Sequence, residues 1–281
     1  MSTIIAPNLV ARKPADYKSD LKPIWCPGCG DYAVLASIQQ ALAALQIDPK
    51  DLAIASGIGC SSRLPGFLQA YGLHTVHGRA LPAAQGIKLA RPDLTVLAVG
   101  GDGDFFSIGA GHLPHAFRRD INITCVVMDN EIYGLTKGQT SPTSPYGHVT
   151  KSTPMGNMAH PMRPLALAIS SGATYVARGF SSQPKQLAEL IRKGMEHQGF
   201  SFIQAMSPCV TYYDTYKIFK EKVYQIPEDH NPQDLSAAMG YAMEDERIPL
   251  GLIYQTTPSE QPALVEQVPF DTLAHLAHYR A

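Results

Sequence analysis

The sequence has little charge, and the charge that it has is balanced. Only 17% of its 281 residues are Asp, Glu, Lys or Arg, with 23 basic residues against 24 acidic ones. A typical soluble domain has about 25% charged residues. The balance and the lack of any basic run exclude an electrostatic argument for nucleic-acid binding. So few charges are typical of a chain whose surface is partly covered by another subunit.

Long apolar runs and an export signal are also missing. The longest apolar stretches, at 94–99 and 121–128, are far shorter than the roughly 20 residues that cross a bilayer. The first ten residues lack the order of basic and then apolar residues that marks a signal peptide. We therefore expect a soluble, cytoplasmic protein that does not enter a membrane.

The five cysteines are an odd number in a long chain, which favours metal or redox chemistry over a disulfide framework. Cys26 and Cys29 form a C-x2-C knuckle, and Cys60 and Cys209 each follow a predicted strand. Four such cysteines suit zinc or an iron–sulfur cluster, and a knuckle alone also suits a thioredoxin-like site. Cys125 lies inside an apolar run, where a small buried side chain is the simpler interpretation.

Helical and strand-like patterns alternate along most of the chain, and Gly, Asp or Asn follows the strands. This alternation predicts an α/β fold with an open, mostly parallel sheet and helices on both faces. Ligands of such sheets bind beyond the carboxyl ends of the strands. Strands are predicted at 52–56, 94–99, 121–128, 175–177 and 200–206, and helices from 31 to 45 and at 80–90, 108–117, 165–170 and 184–197.

The chain divides into three parts. We expect an N-terminal arm at 1–24, one domain at 25–209, and a C-terminal extension at 210–281 that packs on the domain or on a partner subunit. Asp31 is expected to cap the first helix. The connection at 130–163 is too long for a plain link, and such loops are usually functional.

A Gly-Asp-Gly-Asp sequence at 101–104 follows the second predicted strand. Its glycines let the backbone approach a phosphate. The carboxylate of Asp102 would repel a phosphate unless a divalent cation lay between them, and Mg²⁺ prefers one or two carboxylates together with phosphate oxygens. Asn130, at the end of the next strand, supplies a second oxygen ligand. Two ordinary tight turns are the alternative interpretation.

These motifs together resemble the β subunit of the 2-oxoacid:ferredoxin oxidoreductases, because Gly101-Asp102-Gly103 followed by Asn130 is similar to the thiamine diphosphate signature. The resemblance covers about 25–209 and rests on the order of the motifs as much as on each one. The others are Trp25-Cys26-Pro27-Gly28-Cys29-Gly30, Gly57-Ile58-Gly59-Cys60-Ser61-Ser62-Arg63, His77-Gly78-Arg79-Ala80 and Tyr133-Gly134-Leu135-Thr136-Lys137-Gly138-Gln139.

The resemblance implies three cofactors: thiamine diphosphate, Mg²⁺ and a [4Fe–4S] cluster. A reaction that passes on single electrons needs a redox centre, which zinc is not. The cluster ligands would be Cys26, Cys29, Cys60 and Cys209, without Cys125. The Mg²⁺ ligands would be Asp102, Asn130 and the carbonyl of Ile132. Thiamine diphosphate would lie against Ile58, Gly59, Cys60, Ser61, His77, Gly101, Asp102, Gly103, Asp104 and Asn130.

The implied reaction is the oxidative decarboxylation of a 2-oxoacid with coenzyme A to acyl-CoA and CO₂, with electrons passing through the cluster to ferredoxin. Arg63 and Lys137 are expected to face the substrate carboxylates. Two cations favour 2-oxoglutarate over pyruvate, because its distal carboxylate needs a second one. His77 is expected to stabilise a phosphate or the pyrimidine. The alternatives are solvated surface charges for Arg63 and Lys137 and a structural histidine for His77.

The sequence offers no candidate for the glutamate that activates thiamine diphosphate, and Glu131 is not assigned that role. The resemblance implies that an α subunit supplies this glutamate and the coenzyme A site, in an αβ or α2β2 assembly. Three alternatives stay open: a pyruvate-specific β subunit, a non-oxidative thiamine-dependent decarboxylase subunit, and a zinc-stabilised binding module without catalysis.

Overall fold

An eight-stranded sheet forms the centre of the protein. The structure is a computed structural model that describes residues 11–259. Strands of the main sheet are β1 (Leu52–Ser56), β2 (Tyr71–His74), β3 (Thr95–Gly101), β4 (Thr124–Asp129), β7 (Tyr175–Phe180), β8 (Ser201–Met206), β9 (Val223–Gln225) and β10 (Ile248–Gln255); β5 (Ile132–Tyr133) and β6 (Gln139–Thr140) form a separate ribbon.

The strand order of the main sheet is β2-β1-β3-β4-β8-β7-β10-β9. Every neighbouring pair is parallel except β10 and β7, which are antiparallel. The mostly parallel sheet is therefore confirmed. Its central strands β1, β4, β7 and β8 are buried along their whole length, as the continuous apolar runs predict for a sheet covered on both faces.

Helices cover both faces of the sheet, as predicted. On one face, α1 and α5 pack against apolar side chains of the sheet. On the other, α2, α3, α4 and α7 enclose a second core, which contains Cys125. The helices are α1 (Asp31–Ala44), α2 (Ala80–Ala90), α3 (Leu113–Arg119), α4 (Pro164–Ser170), α5 (Pro184–Glu196), α6 (Tyr216–Lys222) and α7 (Leu235–Met243).

Two local expectations were wrong. The segment 108–117 is not one helix: a π-helical turn (Asp104–Ile108) and a 3-10 turn (Ala110–His112) precede α3. Gly109 and Gly111 weaken a continuous helix, and Pro114 suits the first turn of a new one. Asp31 does not cap α1, because Gly30 is the N-cap residue and Asp31 is already helical.

The described parts of the two terminal segments pack on the central domain. Tyr17 in the arm is fully buried, and its hydroxyl oxygen lies 2.9 Å from the carbonyl oxygen of Leu42 and 2.7 Å from that of Ile47. After residue 209 the chain adds α6, β9, α7 and β10, and β10 pairs with β7. Residues 1–10 of the arm and 260–281 of the extension lie outside the described residues.

The parallel strands bring distant motifs to one edge. Strands β1, β3, β4 and β8 end at Ser56, Gly101, Asp129 and Met206, and their carboxyl ends share one side of the sheet. The glycine turn at 57–59, the acidic turn at 102–104, Asn130 and Cys209 all follow these ends.

Candidate active site

A cavity of about 520 Å³ opens at the carboxyl edge of the sheet, within the usual range for small-molecule and cofactor sites. Turns that follow β1, β2, β3 and β4 all contribute to it, which is the placement expected of a ligand site in a parallel sheet. Residues from the predicted cofactor set that line it are Ile58, Gly59, Cys60, Ser61, His77, Gly101, Gly103, Asp104 and Asn130.

Asp104 ties three of these turns together. Its Oδ1 accepts hydrogen bonds from the backbone nitrogens of Ile58 (2.9 Å) and Gly78 (2.7 Å), and it lies 2.6 Å from Nδ1 of His77. Gly57 is required for this arrangement, because a Cβ there would lie 1.9 Å from Oδ2 of Asp104. The carboxylate of Asp104 thus shapes the cavity wall and holds one nitrogen of His77, leaving its Nε2 for a ligand.

Asp102 lies behind the cavity wall and is almost fully buried. The hydroxyl of Thr143 lies 2.9 Å from Asp102 Oδ2 and 2.8 Å from Asp129 Oδ1. Burial, reinforced by the nearby Asp129, raises the pKa of Asp102 to about 8. Asn130 directly follows Asp129 at the end of β4, and Ile132 comes two residues later. Asn130 Oδ1 accepts a hydrogen bond from the backbone N–H of Ile132 at 3.1 Å. A divalent cation beside Asp102 would offset this accumulation of buried acid, so the donor set fits Mg²⁺.

Three chain segments bring Cys26, Cys29, Cys60 and Cys209 together beside the cavity. A Cβ added to Gly134, which lines the cavity, would lie 3.5 Å from Sγ of Cys209 and 3.8 Å from Sγ of Cys60. Burial, reinforced by the Asp31 carboxylate, raises the pKa of Cys60 to about 11 and that of Cys29 above its usual range. Cysteine thiols lose their protons when their sulfur atoms bind a metal.

Cys125 is remote from this group. It is fully buried in the core on the α2 side of the sheet, and burial raises its pKa above the usual thiol range. This placement agrees with the interpretation of Cys125 as a small apolar side chain.

Asp31 and Trp25 hold the cysteine segments in place. Asp31 Oδ2 accepts from Ser61 Oγ (3.0 Å) and Oδ1 accepts from Ser207 Oγ (2.7 Å), so one carboxylate joins the knuckle to the segments of Cys60 and Cys209. The indole N–H of Trp25 donates to the Cys60 carbonyl at 2.7 Å. Sequence reasoning missed this role of Asp31, because its partners are 30 and 176 residues away.

Arg63 and Lys137, the predicted substrate cations, do not line the cavity. Arg63 is exposed on the turn that follows Cys60. Lys137 has a positive φ of 77° and lines a neighbouring cavity of about 860 Å³. Thr136 and Gln139 line both cavities, so the two spaces share a wall.

The ribbon segment supplies lining residues that sequence reasoning did not assign. From its motif at 133–139, only Lys137 was predicted to contact a ligand. Gly103 leaves room for Tyr133, because a Cβ at Gly103 would lie 2.2 Å from its ring. The additional lining residues are Tyr133, Gly134, Leu135, Thr136 and Gln139.

Within residues 11–259, no three His, Cys, Asp or Glu side chains converge closely enough to share a single metal ion. No helix in this part of the chain is both long and apolar enough to cross a bilayer.

Two protein families match the chain. Residues 57–205 match the family described as "Thiamine pyrophosphate enzyme, C-terminal TPP binding domain". Residues 209–270 match the family that describes the C-terminal part of the pyruvate ferredoxin oxidoreductase beta subunit.

Individual relatives agree with these matches. The chain is 45% identical over 247 residues to the 2-oxoacid:ferredoxin oxidoreductase subunit beta of Saccharolobus solfataricus, covering 82% of this chain and 81% of the relative. It is 45% identical to the 2-oxoglutarate synthase subunit KorB of Methanocaldococcus jannaschii, covering 72% and 74%. A solved 2-oxoglutarate:ferredoxin oxidoreductase from Magnetococcus marinus, with 2-oxoglutarate, coenzyme A and succinyl-CoA bound, aligns with a TM-score of 0.89 at 46% identity, over 95% of this chain and 96% of that one.

Proposed function

The chain belongs to the β subunits of the 2-oxoacid:ferredoxin oxidoreductases, and we propose that it carries the cofactor half of an active site that oxidatively decarboxylates 2-oxoglutarate. Coenzyme A takes the acyl group, CO₂ leaves, and electrons pass to ferredoxin. The observation that carries this proposal is the adjacency of two sites: Cys60 belongs to the cysteine group and also lines the cavity.

Thiamine diphosphate would occupy the cavity, and its ring supplies the electron sink for decarboxylation. Gly59, Gly101 and Gly103 line the cavity, and their lack of side chains would let the diphosphate approach the backbone. Asp104 holds His77 with Nε2 free to meet the pyrimidine or a phosphate. Asp102, Asn130 and the carbonyl of Ile132 would hold Mg²⁺.

A [4Fe–4S] cluster would be held by Cys26, Cys29, Cys60 and Cys209. Zinc has no redox chemistry, and the proposed reaction passes on single electrons, so the chemistry favours a cluster over zinc. Because Cys60 lines the cavity, a cluster held by Cys60 would supply a redox centre beside the thiamine site.

An α subunit would complete the site. Three large apolar side chains near the cavity are exposed: Val76 (70%), Leu135 (54%) and Ile108 (53%). Such a group next to an open cavity is typical of a surface that a partner covers. We assign the activating glutamate and the coenzyme A site to that partner, in an αβ or α2β2 assembly, and place the complex in the cytoplasm.

Substrate choice rests on Arg63 and Lys137. Both side chains are exposed in the single chain, and Lys137 also lines the second cavity. The partner would close this second cavity around the distal carboxylate of 2-oxoglutarate. Lys137→Ala and Arg63→Ala should therefore lower kcat/KM for 2-oxoglutarate more than for pyruvate. Equal losses on both substrates would contradict the distal-carboxylate role.

Pyruvate is the second candidate substrate, because residues 209–270 match a family named for pyruvate ferredoxin oxidoreductase. The experiment is to co-express the chain with its α subunit, purify the complex without oxygen, and measure substrate-dependent reduction of ferredoxin with coenzyme A. A higher kcat/KM for 2-oxoglutarate supports the proposal. A higher kcat/KM for pyruvate would show that pyruvate, and not 2-oxoglutarate, is the preferred substrate. Release of CO₂ without reduction of ferredoxin would favour a non-oxidative decarboxylase. A colourless complex with one zinc would favour the binding module.

A further inference from the structure

Three buried hydroxyls lie in the turn at 141–144. They are beside Asp102 and Asp129, at the carboxyl ends of β3 and β4, a region that we call the acidic end of the sheet. Ser141, Thr143 and Ser144 are at most 6% exposed, although they belong to the long polar connection at 130–163. Buried hydroxyls need partners, and the partners here are the segments proposed to hold Mg²⁺.

Thr143 lies between carboxyl groups from two neighbouring strands. Its Oγ1 is 2.9 Å from Oδ2 of Asp102, which follows β3, and 2.8 Å from Oδ1 of Asp129, which ends β4. The Ser141 hydroxyl lies 3.3 Å from Thr143 Oγ1 and 3.4 Å from Ser144 Oγ, so it supports Thr143 from within the turn. Thr143 has one hydroxyl hydrogen, and its two short contacts place that hydrogen between the two carboxyl groups.

Asp129 is anchored on its other side. Gln204 Nε2 donates to its Oδ2 at 2.7 Å, and the buried Arg178 donates from Nε to Gln204 Oε1 at 2.9 Å. These residues stand on β4, β8 and β7, which are hydrogen-bonded neighbours. These bonds fix the position of the Asp129 carboxylate. Thr143, which contacts both carboxyl groups, therefore restrains the position of Asp102 as well.

Ser144 supports the other ligand segment. Its hydroxyl donates to the carbonyl of Glu131 at 2.5 Å. Glu131 has a φ of 58°, a left-handed conformation that is costly outside glycine. This turn lies between Asn130 and Ile132, so one short segment braces both groups of proposed Mg²⁺ ligands.

We propose that Thr143 is a positioning residue for the Mg²⁺ of the thiamine diphosphate site, holding the Asp102 carboxylate in place from the 141–144 turn. This inference rests on the proposed function, in which Asp102 binds Mg²⁺. Hydrogen-bond partners that orient a metal ligand typically account for about 10–100-fold in metal affinity.

The test uses the complete complex with the α subunit, stripped of metal and titrated with Mg²⁺ by calorimetry at saturating thiamine diphosphate. Thr143→Val keeps the shape but removes the hydroxyl, and should weaken Mg²⁺ binding about 10–100-fold. Thr143→Ser restores the hydroxyl and should return the affinity to near that of the natural protein. Ser182→Ala removes an exposed hydroxyl that lines neither cavity; it is the control and should change nothing.

A second readout separates positioning from general loosening. With Mn²⁺ in place of Mg²⁺, the EPR spectrum reports the symmetry of the ligands, and it should change in Thr143→Val but not in Thr143→Ser. If Thr143→Val does not fold, Ser141→Ala serves instead and should weaken Mg²⁺ binding to a lesser extent. Natural affinity and an unchanged Mn²⁺ spectrum in the folded variant would overturn the inference alone. Failure of the natural complex to bind thiamine diphosphate with Mg²⁺ would overturn the proposed function as well.

Discussion

The cysteine group and the acidic end of the sheet lie at the same edge but are built in different ways. Asp102 and Asn130 follow adjacent parallel strands, so the backbone ladder of β3 and β4 sets their separation. The four cysteines come from segments around residues 26–29, 60 and 209, which long-range hydrogen bonds of Asp31, Trp25 and Gly30 hold together.

This difference has an energetic consequence. Strand ends are rigid, because the sheet fixes them through many bonds and two apolar cores. Turns joined by a few side chains depend on each anchor, so single changes should disturb the cysteine group more readily than the acidic end. Each of the following variants tests one side of that contrast.

The largest effect should come from the cysteines themselves. Cys60→Ala or Cys209→Ala should abolish the cluster, so that the complex loses about four irons relative to the natural protein. Cys125→Ala removes a thiol of the same kind from the apolar core and should keep all of the iron. Chemical iron and sulfide analysis with the visible spectrum measures both. Loss of iron in Cys125→Ala would show that the ligand set is wrong.

Asp102→Asn should separate the two sites. An amide binds Mg²⁺ far more weakly than a carboxylate, so affinity for Mg²⁺ and thiamine diphosphate should fall by more than about 100-fold, the upper range for groups that only orient a ligand. The iron content should stay the same. Calorimetry and iron analysis on one preparation test this, and a joint loss of iron and cofactor would mean that the sites are not independent.

Asp31→Asn should weaken the cysteine group, because this group is held together by only a few side-chain hydrogen bonds. The buried amide cannot accept from both Ser61 and Ser207 as the carboxylate does, which costs about 1–3 kcal/mol of stability. Iron loss to a chelator should become several-fold faster, while Mg²⁺ affinity changes little. Asp20→Asn, at an exposed position in the arm, is the matched control. Equal rates of iron loss in the two variants would show that Asp31 does not stabilise the cysteine group.

Gly57→Ala should act on the cavity side, with a loss of stability in the same range as that of Asp31→Asn. Its Cβ would meet Oδ2 of Asp104 at 1.9 Å, so Asp104 must shift and release His77. We expect a loss of about 1–3 kcal/mol in unfolding free energy and weaker cofactor binding. Gly86→Ala, in an open position on α2, should instead stabilise by about 0.5–1 kcal/mol. Thermal unfolding of the two variants side by side tests the contrast.

Much of the fold could be predicted because its central strands carry continuous apolar runs. The predicted strand at 52–56 and the helix at 80–90 coincide with β1 and α2. β2 escaped prediction, since Tyr71–His74 is exposed along its length and includes Gly72. β10 escaped too, since it contains Pro249 and Gly251, which are unfavourable inside strands.

The candidate site was predictable where its residues follow strand ends in recognisable motifs. Nine of the residues predicted to bind thiamine diphosphate line one cavity. The hydroxyls of the 141–144 turn and the Asp31 carboxylate were not predictable, because nothing in their local sequence reveals a partner far along the chain. The roles of Arg63 and Lys137 stay predictions, since the single chain leaves both outside the cavity wall.

The sequence by itself determined the class of fold, the family and the residue types of the proposed thiamine site beside a group of cysteines. Local patterns carry this information, because apolar runs specify buried strands and short motifs specify the turns after them. Only the tertiary structure decided which of those residues meet. Thr143 reaches two carboxylates and Asp31 joins three segments because buried polar groups must find partners wherever folding places them.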